Sequence, residues 1–351
     1  VKFGIFSLPT YFPEVDGGLQ DFYQHILSML RDAERLGFDH AWCNEHHFHP
    51  YGGMIPAPAV LLSAVAAQTS RIRLGTSVAL LPLHHPLEQA ESYAMLDQIS
   101  GGRLELGIGR GFIPYDYETM GVAYADSQDR LYESLEVMLA AWQRQPFSYH
   151  GRYYQYDDVS VWPVPLQKPH PPIWGSATRS EESFAWFGRQ GYDLLTVVYL
   201  FPVTRLAEYL TVYREAAASA GHDPATKRVS THFQVYCTEN GDEARRVGKK
   251  AIIRYSEEIT RARERGASPP PPIQHLTFEE VLADGRVCMG NPDDCAAILE
   301  RAREMLGLTN VDCTFYYGGI PYDRARASFE LFAREVMPRF QSQPEVVRAA
   351  V

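Results

Sequence analysis

Glu45-His46-His47-Phe48-His49 gathers a carboxylate and three imidazoles in five residues, directly after an apolar run that reaches Trp42 and Cys43. An unperturbed imidazole has a pKa of ~6.5, so near neutrality it can donate or accept a proton, and a neighbouring polar group decides which ring nitrogen carries it. Asn44 and Glu45 are the nearest groups in sequence able to fix His46 in that way. At a strand end alternate residues diverge, so His46 and His47 should not face the same ligand. A second chemistry is open to the same stretch: His47-x-His49 with Glu45, and His84 and His85 from a later turn, are ligand types that zinc accepts. Taken singly, His40 and His49 read more simply as solvated or locally bonded side chains.

Such groups need a rigid end to stand on. Apolar strands are expected at residues 2–7, up to Cys43, at 73–80, 103–109, 172–175, 194–198, 229–237 and 311–316. Helical spacing separates them: Phe22, Ile26, Leu30, Ala33 and Leu36, then 58–68, 88–100, 131–142, a start at 176–182, 203–220, 242–264 and 323–336. Tyrosine-rich segments on either side of His150-Gly151-Arg152 read as a hairpin. Eight strands alternating with helices point to one α/β domain over 1–351, a (β/α)8 TIM barrel, with an open doubly wound sheet as the alternative. Either fold binds ligands at the carboxyl ends of its strands. Glu45-His46-His47, the turn at 82–85, Arg110-Gly111 and Gly175-Ser176 would then share one face.

Gly107-x-Gly109-x-Gly111 lacks the G-x-G-x-x-G spacing, and Pro114 and Asp116 leave no helix expected after it, so a dinucleotide fold is rejected. Between 266 and 289 the rhythm fails, with four consecutive prolines at 269–272. That insertion between strands seven and eight reads as a mobile lid. The 33 basic and 43 acidic side chains give a formal charge of -10, with no cationic cluster beyond pairs such as Lys249-Lys250, which disfavours nucleic acid and anionic membranes. Five scattered cysteines without a C-x-x-C pair suggest neither a disulfide framework nor a structural zinc site. No apolar run approaches ~18 residues, and 1–8 is too short for a signal peptide, so a cytoplasmic location is expected.

The chain resembles the bacterial luciferase-like flavin monooxygenases at Asn44-Glu45-His46-His47-Phe48, at 81–91, at 96–103, at Gly107-Ile108-Gly109-Arg110-Gly111 and at Gly175-Ser176-Ala177-Thr178. The resemblance runs weakly on to Gly318-Gly319. It implies a barrel that receives reduced FMN from a separate flavin reductase and reacts it with dioxygen to a flavin hydroperoxide, which oxygenates a small organic substrate. It makes His46 the catalytic histidine beside the flavin, Arg110 the phosphate-binding arginine, and Gly175, Ser176, Ala177 and Thr178 the phosphate loop. Glu45 joins the cofactor site, as do Ser77 and Val78, where relatives carry a non-prolyl cis peptide against the ring. A homodimer through the helices at 58–68 and 86–100 is implied as well. Gly175 replaces an acidic residue of the luciferase subunit and Gly109 its reactive cysteine, so light emission is not carried over. A deazaflavin-dependent oxidoreductase, a flavin-binding protein without turnover and the metal-dependent hydrolase stand as alternatives.

Overall fold

In the computed structural model, which describes residues 1–265 and 277–341, eight parallel strands close on themselves. They are β1 (Lys2–Ser7), β2 (His40–Cys43), β3 (Arg73–Thr76), β4 (Leu104–Gly109), β5 (Ile173–Ser176), β6 (Asp193–Val197), β7 (Val229–Cys237) and β8 (Asn310–Thr314). Each pairs with the next, and β8 also pairs with β1, Phe3 opposite Val311. The expected (β/α)8 barrel is therefore the fold. Every residue of β4 and β7 is buried, as strands covered by helices outside and filled by side chains inside must be.

Trp42 shows how the interior is filled. It lies opposite Gly75 in the β2–β3 register, and a Cβ on Gly75 would come within 1.9 Å of the indole, while one on Gly4 would come within 2.8 Å. Glycine on both neighbouring strands thus makes room for one large ring, which meets Trp174 edge-on at 5.4 Å. Replacing such a ring by alanine costs roughly 3–5 kcal/mol. Outside, the helix Leu19–Arg35 turns Phe22, Ile26, Met29, Leu30 and Ala33 inward, one apolar stripe at helical spacing. All five cysteines are buried and none is paired. Among the described residues no helix is long and apolar enough to cross a membrane.

Several local expectations need correction. Residues 73–80 do not form one strand: β3 stops at Thr76, the Ser77–Val78 peptide is cis, and Ala79–Leu80 pairs only with the end of β4. The Thr76 hydroxyl donates to Gly107 O at 2.7 Å, a side-chain bond where the β3–β4 ladder lapses. A helix does follow the glycine group, Pro114–Met120, with proline in the first turn, where its missing N–H costs nothing. Within 176–182, Ser176 ends β5; the helix is Glu181–Gln190, and its cap is Ser180, which accepts from Ser183 N. Of the stretch expected to be a lid, 266–276 lie outside the described residues. From Thr277 the chain is regular: a capping box starts the helix Phe278–Ala283, and Cys288–Gly290 adds a parallel strand to β7. The helix Pro292–Leu306, not anticipated at all, follows its own capping box at Asn291 and Asp294.

Candidate active site

A cavity of about 700 Å³ opens at the carboxyl ends of the strands. Glu45, His46, Ser77, Val78, Arg110, Ser176 and Thr178 all line it, so most of the residues picked from sequence converge. The volume lies in the range of small-molecule and cofactor pockets, ~300–1,000 Å³. Gly175 and Ala177 are not in the lining. A Cβ on Gly175 would strike Phe187 at 2.0 Å, so that glycine lets the following helix close on β5. Ala177 N donates to Leu195 O at 3.1 Å.

The histidine stretch divides into two trios. Glu45 is buried; its Oε2 accepts from Leu80 N at 2.9 Å, while Oε1 meets His47 Nε2 at 3.0 Å and His84 Nε2. Burial alone would raise its pKa, but the bonds from His47 and His84 outweigh that and bring it to about 2. His84 moves the other way: burial lowers it, and the bond to Glu45 more than compensates.

His46 turns instead toward Asp116, a carboxylate to which the sequence alone assigned no part in the site. Nδ1 of His46 lies 3.7 Å from Asp116 Oδ2, and Nε2 of His49 lies 3.3 Å from Oδ1. Burial lowers the His46 pKa, with Asp116 opposing. Burial pushes the Asp116 carboxyl up, but the two histidines hold it below its ordinary value. Neither Asn44 nor Glu45 therefore orients His46; Asn44 Nδ2 donates to Gly52 O at 2.8 Å and ties off the loop. Asp116 sits in the first turn of the helix whose existence its own proline argued against. Proline at N1 with an acidic residue two positions on is a helix-start signal, and reading it so would have found the residue.

Also in the cavity lining, Arg110 donates to Ser127 Oγ at 3.3 Å, and its guanidinium lies 5.5 Å from the Tyr124 ring centroid. Ser176, Thr178, Arg179, Ser180 and Ser183 complete a wall of hydroxyls and cations. Hydroxyls, a forked cation and the start of a helix are what a phosphate needs. Val78, in the same wall, stands against Gly109, where any Cβ would meet it at 2.6 Å. The remaining wall is mostly aromatic or apolar: Phe6, Leu8, Tyr51, Phe112, Leu195 and Tyr199. His232, also unforeseen, lies in the floor; its Nε2 is 2.8 Å from Thr314 Oγ1, and burial lowers its pKa to about 3.

In each trio, Glu45, His47 and His84 or His46, His49 and Asp116, the ligand atoms lie within 4.8 Å of one another, a spacing a cation could bridge. The first trio is already joined by hydrogen bonds, and the set combining Glu45, His47 and His49 is not assembled. His85 faces Tyr156.

Comparison with known proteins agrees with this geometry. Residues 1–309 match the model of the luciferase-like monooxygenase family. The crystal structure of monooxygenase RslO1 from Streptomyces bottropensis superposes with a TM-score of 0.89 at 29% identity, covering 97% of this chain and 100% of that one. Limonene 1,2-monooxygenase of Rhodococcus erythropolis is 27% identical over 347 residues, 97% of this chain and 87% of its own. The oxygenating constituent of 3,6-diketocamphane monooxygenase from Pseudomonas putida, solved in complex with FMN, is 24% identical with a TM-score of 0.78, over 96% and 98% of the two chains. This closed barrel, whose mouth is lined by hydroxyls, arginines and a buried histidine and which these enzymes match over its length, belongs to the luciferase-like, flavin-dependent monooxygenase family.

Proposed function

We propose that the protein is the oxygenase of a two-component system, taking reduced FMN from a separate reductase and using dioxygen to oxygenate a small organic substrate. The observation that carries this is that one cavity at the barrel mouth is lined together by Arg110, Ser176, Thr178, Ser77, Val78 and His46. The FMN of the diketocamphane neighbour supports the choice of cofactor. When bound, reduced FMN supplies the electrons that activate dioxygen. Arg110, Ser176 and Thr178 hold the phosphate, while Val78 packs on the ring. Gly175 and Ala177 fix the loop, and Glu45 anchors the turn at Leu80. His46 exchanges a proton with the reacting groups, and the apolar wall keeps water from them.

Mixing the protein and reduced FMN with air-saturated buffer in a stopped-flow instrument tests the reading. Reoxidation of the flavin should be markedly slower than in free solution. Equal rates with and without protein, or binding of a reduced deazaflavin in preference to FMN, would overturn it.

The homodimer belongs to the same proposal. Val60 on the helix Pro58–Ala66 is 72% exposed, and Met95 and Ile99 on the helix Pro86–Ser100 are each 51% exposed, an apolar surface suited to a second copy. Light scattering should give a dimer, and V60D with M95D a monomer; a monomeric parent ends the idea.

A further inference from the structure

We propose that Asp116 is the positioning residue for His46, holding it with the proton on Nδ1 so that Nε2 faces the cavity as a bare lone pair. This rests on the reading of His46 as the residue beside the flavin. Four observations lead to it. Asp116 is 1% exposed, and an unpaired carboxylate at such a depth is costly. No lysine or arginine contacts it among the described residues; the groups that hold its charge are His46 and His49, one on each oxygen. A ring nitrogen steadies a carboxylate only by presenting N–H. Finally, His46 Nδ1 is sealed from solvent with no hydrogen-bond partner among the described residues, and the carboxylate of Asp116, at 3.7 Å, is the group that stands nearest to becoming one.

The loop is shaped to bring both rings to one carboxylate. Phe48 adopts a left-handed conformation, φ 60°, rare outside glycine, and its carbonyl accepts from Arg265 Nη1 at 2.7 Å. That reversal lets residues 46 and 49 converge. Gly52, at φ 66°, clears the other edge of the ring: a Cβ there would come within 2.9 Å of His46 Cδ2. At 3.7 Å the His46–Asp116 pair is looser than a charge-assisted bond of ~2.8 Å, and catalytic bonds of this kind tighten when ligands bind. His49 Nε2 lies 3.3 Å from the second oxygen, close but not aligned as a hydrogen bond, and His49 does not line the cavity.

Nitrogen-15 spectra of the histidine-labelled, flavin-free protein read the tautomer directly and do not depend on the flavin assignment. His46 should show a protonated Nδ1, and D116N, isosteric but uncharged, should lose or reverse that preference. In turnover D116N should lower kcat by about 100-fold while the KM for reduced FMN stays within about twofold. H49Q should disturb the His46 tautomer less than D116N does and lower kcat less, whereas a merely structural Asp116 would leave the tautomer unmoved in D116N. Should D116N fold poorly, D116S is read by the same spectra. Protonation of His46 on Nε2 in the parent, full kcat in D116N, losses in H49Q equal to those in D116N, or a stoichiometric metal in the purified protein would each overturn the proposal. If reduced FMN fails to bind while the tautomer follows Asp116, the proposed function falls and the positioning role stands.

Discussion

The two ends of this barrel bury charge in opposite ways. At the amino end Glu105 is saturated: Arg73 Nε and Arg228 Nη1 reach one oxygen, and Arg228 Nη2 at 2.9 Å and Trp174 Nε1 at 2.6 Å reach the other. Asp193 takes the rest of Arg228, whose guanidinium lies 4.4 Å from the Trp174 ring centroid. At the carboxyl end His46 Nδ1, Asp116 Oδ1, both nitrogens of His49 and His232 Nδ1 have no hydrogen-bond partner among the described residues. Orphaned buried polar atoms cost stability, and titratable ones that stand together beside a cavity are kept for something other than the fold. The amino end has orphans too, Asn310 Nδ2 and both nitrogens of His40, which is buried and stacked on Trp42 at 5.4 Å with its pKa lowered by burial to about 3, so it stays neutral.

The most damaging way to break this contrast is at the amino end. Glu105→Ala leaves Arg228 and Arg73 facing one another without their shared carboxylate, and removing one partner of a buried ion network costs about 3–5 kcal/mol. Urea unfolding should show a loss of that size, while FMN affinity of the folded protein is unchanged. A loss below about 1 kcal/mol would mean that the plug is ornamental.

Glu45 sharpens the contrast from the other side, because it is a carboxylate at the mouth with both oxygens bonded, as those of Glu105 are. Its folded pKa of about 2 lies below the ordinary 4.5, so it contributes stability that is present above pH 4.5 and lost as pH falls through about 2. At 1.36 kcal/mol per pH unit that is roughly 3 kcal/mol. The raised His84 pKa is the same contact seen from its partner, and that share is lost as pH rises through the folded value. Glu45→Gln should therefore be less stable than the parent at pH 6, the two converging near pH 2. Parallel curves would place the interaction elsewhere.

Much of the fold could be read from the chain, for reasons visible in particular residues. Leu104, Leu106 and Ile108 alternate with Glu105, Gly107 and Gly109, which is a strand with two different buried faces. Strand-end position then gathered His46, Arg110 and Ser176 before any geometry was known. The failures share a cause, which is that local rules were applied without long-range partners. Proline at 114 was taken as a barrier when it opened a helix, and Asp116 was passed over because nothing nearby in sequence needs it; its partners lie seventy residues earlier. The helix Pro292–Leu306 was missed because the prolines upstream drew attention from the capping signal at Asn291.

At the mouth the expected cost falls on chemistry and spares the fold. His46→Ala should cut oxygenation by about 100-fold, the usual size of a general acid or base contribution, with a loss in urea midpoint smaller than that of Glu105→Ala because the ring's Nδ1 makes no short bond to lose. Rapid-mixing turnover with reduced FMN, run beside a denaturation curve, separates the two. Normal turnover, or a collapse in stability matching that of Glu105→Ala, would erase the distinction between the ends.

The smallest effect belongs to Arg110, which stands between the two regimes. Its guanidinium is partly engaged, donating to Ser127 and lying near Tyr124, so it is neither saturated like Arg228 nor orphaned like His46 Nδ1. A permanently charged fork that keeps spare donors suits a phosphate dianion, which the acidic chain otherwise does little to attract. Because Ser176 and Thr178 share the load, Arg110→Ala should weaken FMN binding by about 30-fold, ~2 kcal/mol, within the usual range for a charged hydrogen bond. Riboflavin, which lacks the phosphate, should lose almost nothing. Raising the salt concentration should shrink the difference between the two ligands in the parent and leave the variant unmoved. Fluorescence titrations of both flavins against both proteins decide the matter, and equal losses for FMN and riboflavin would remove Arg110 from the phosphate end of the cavity.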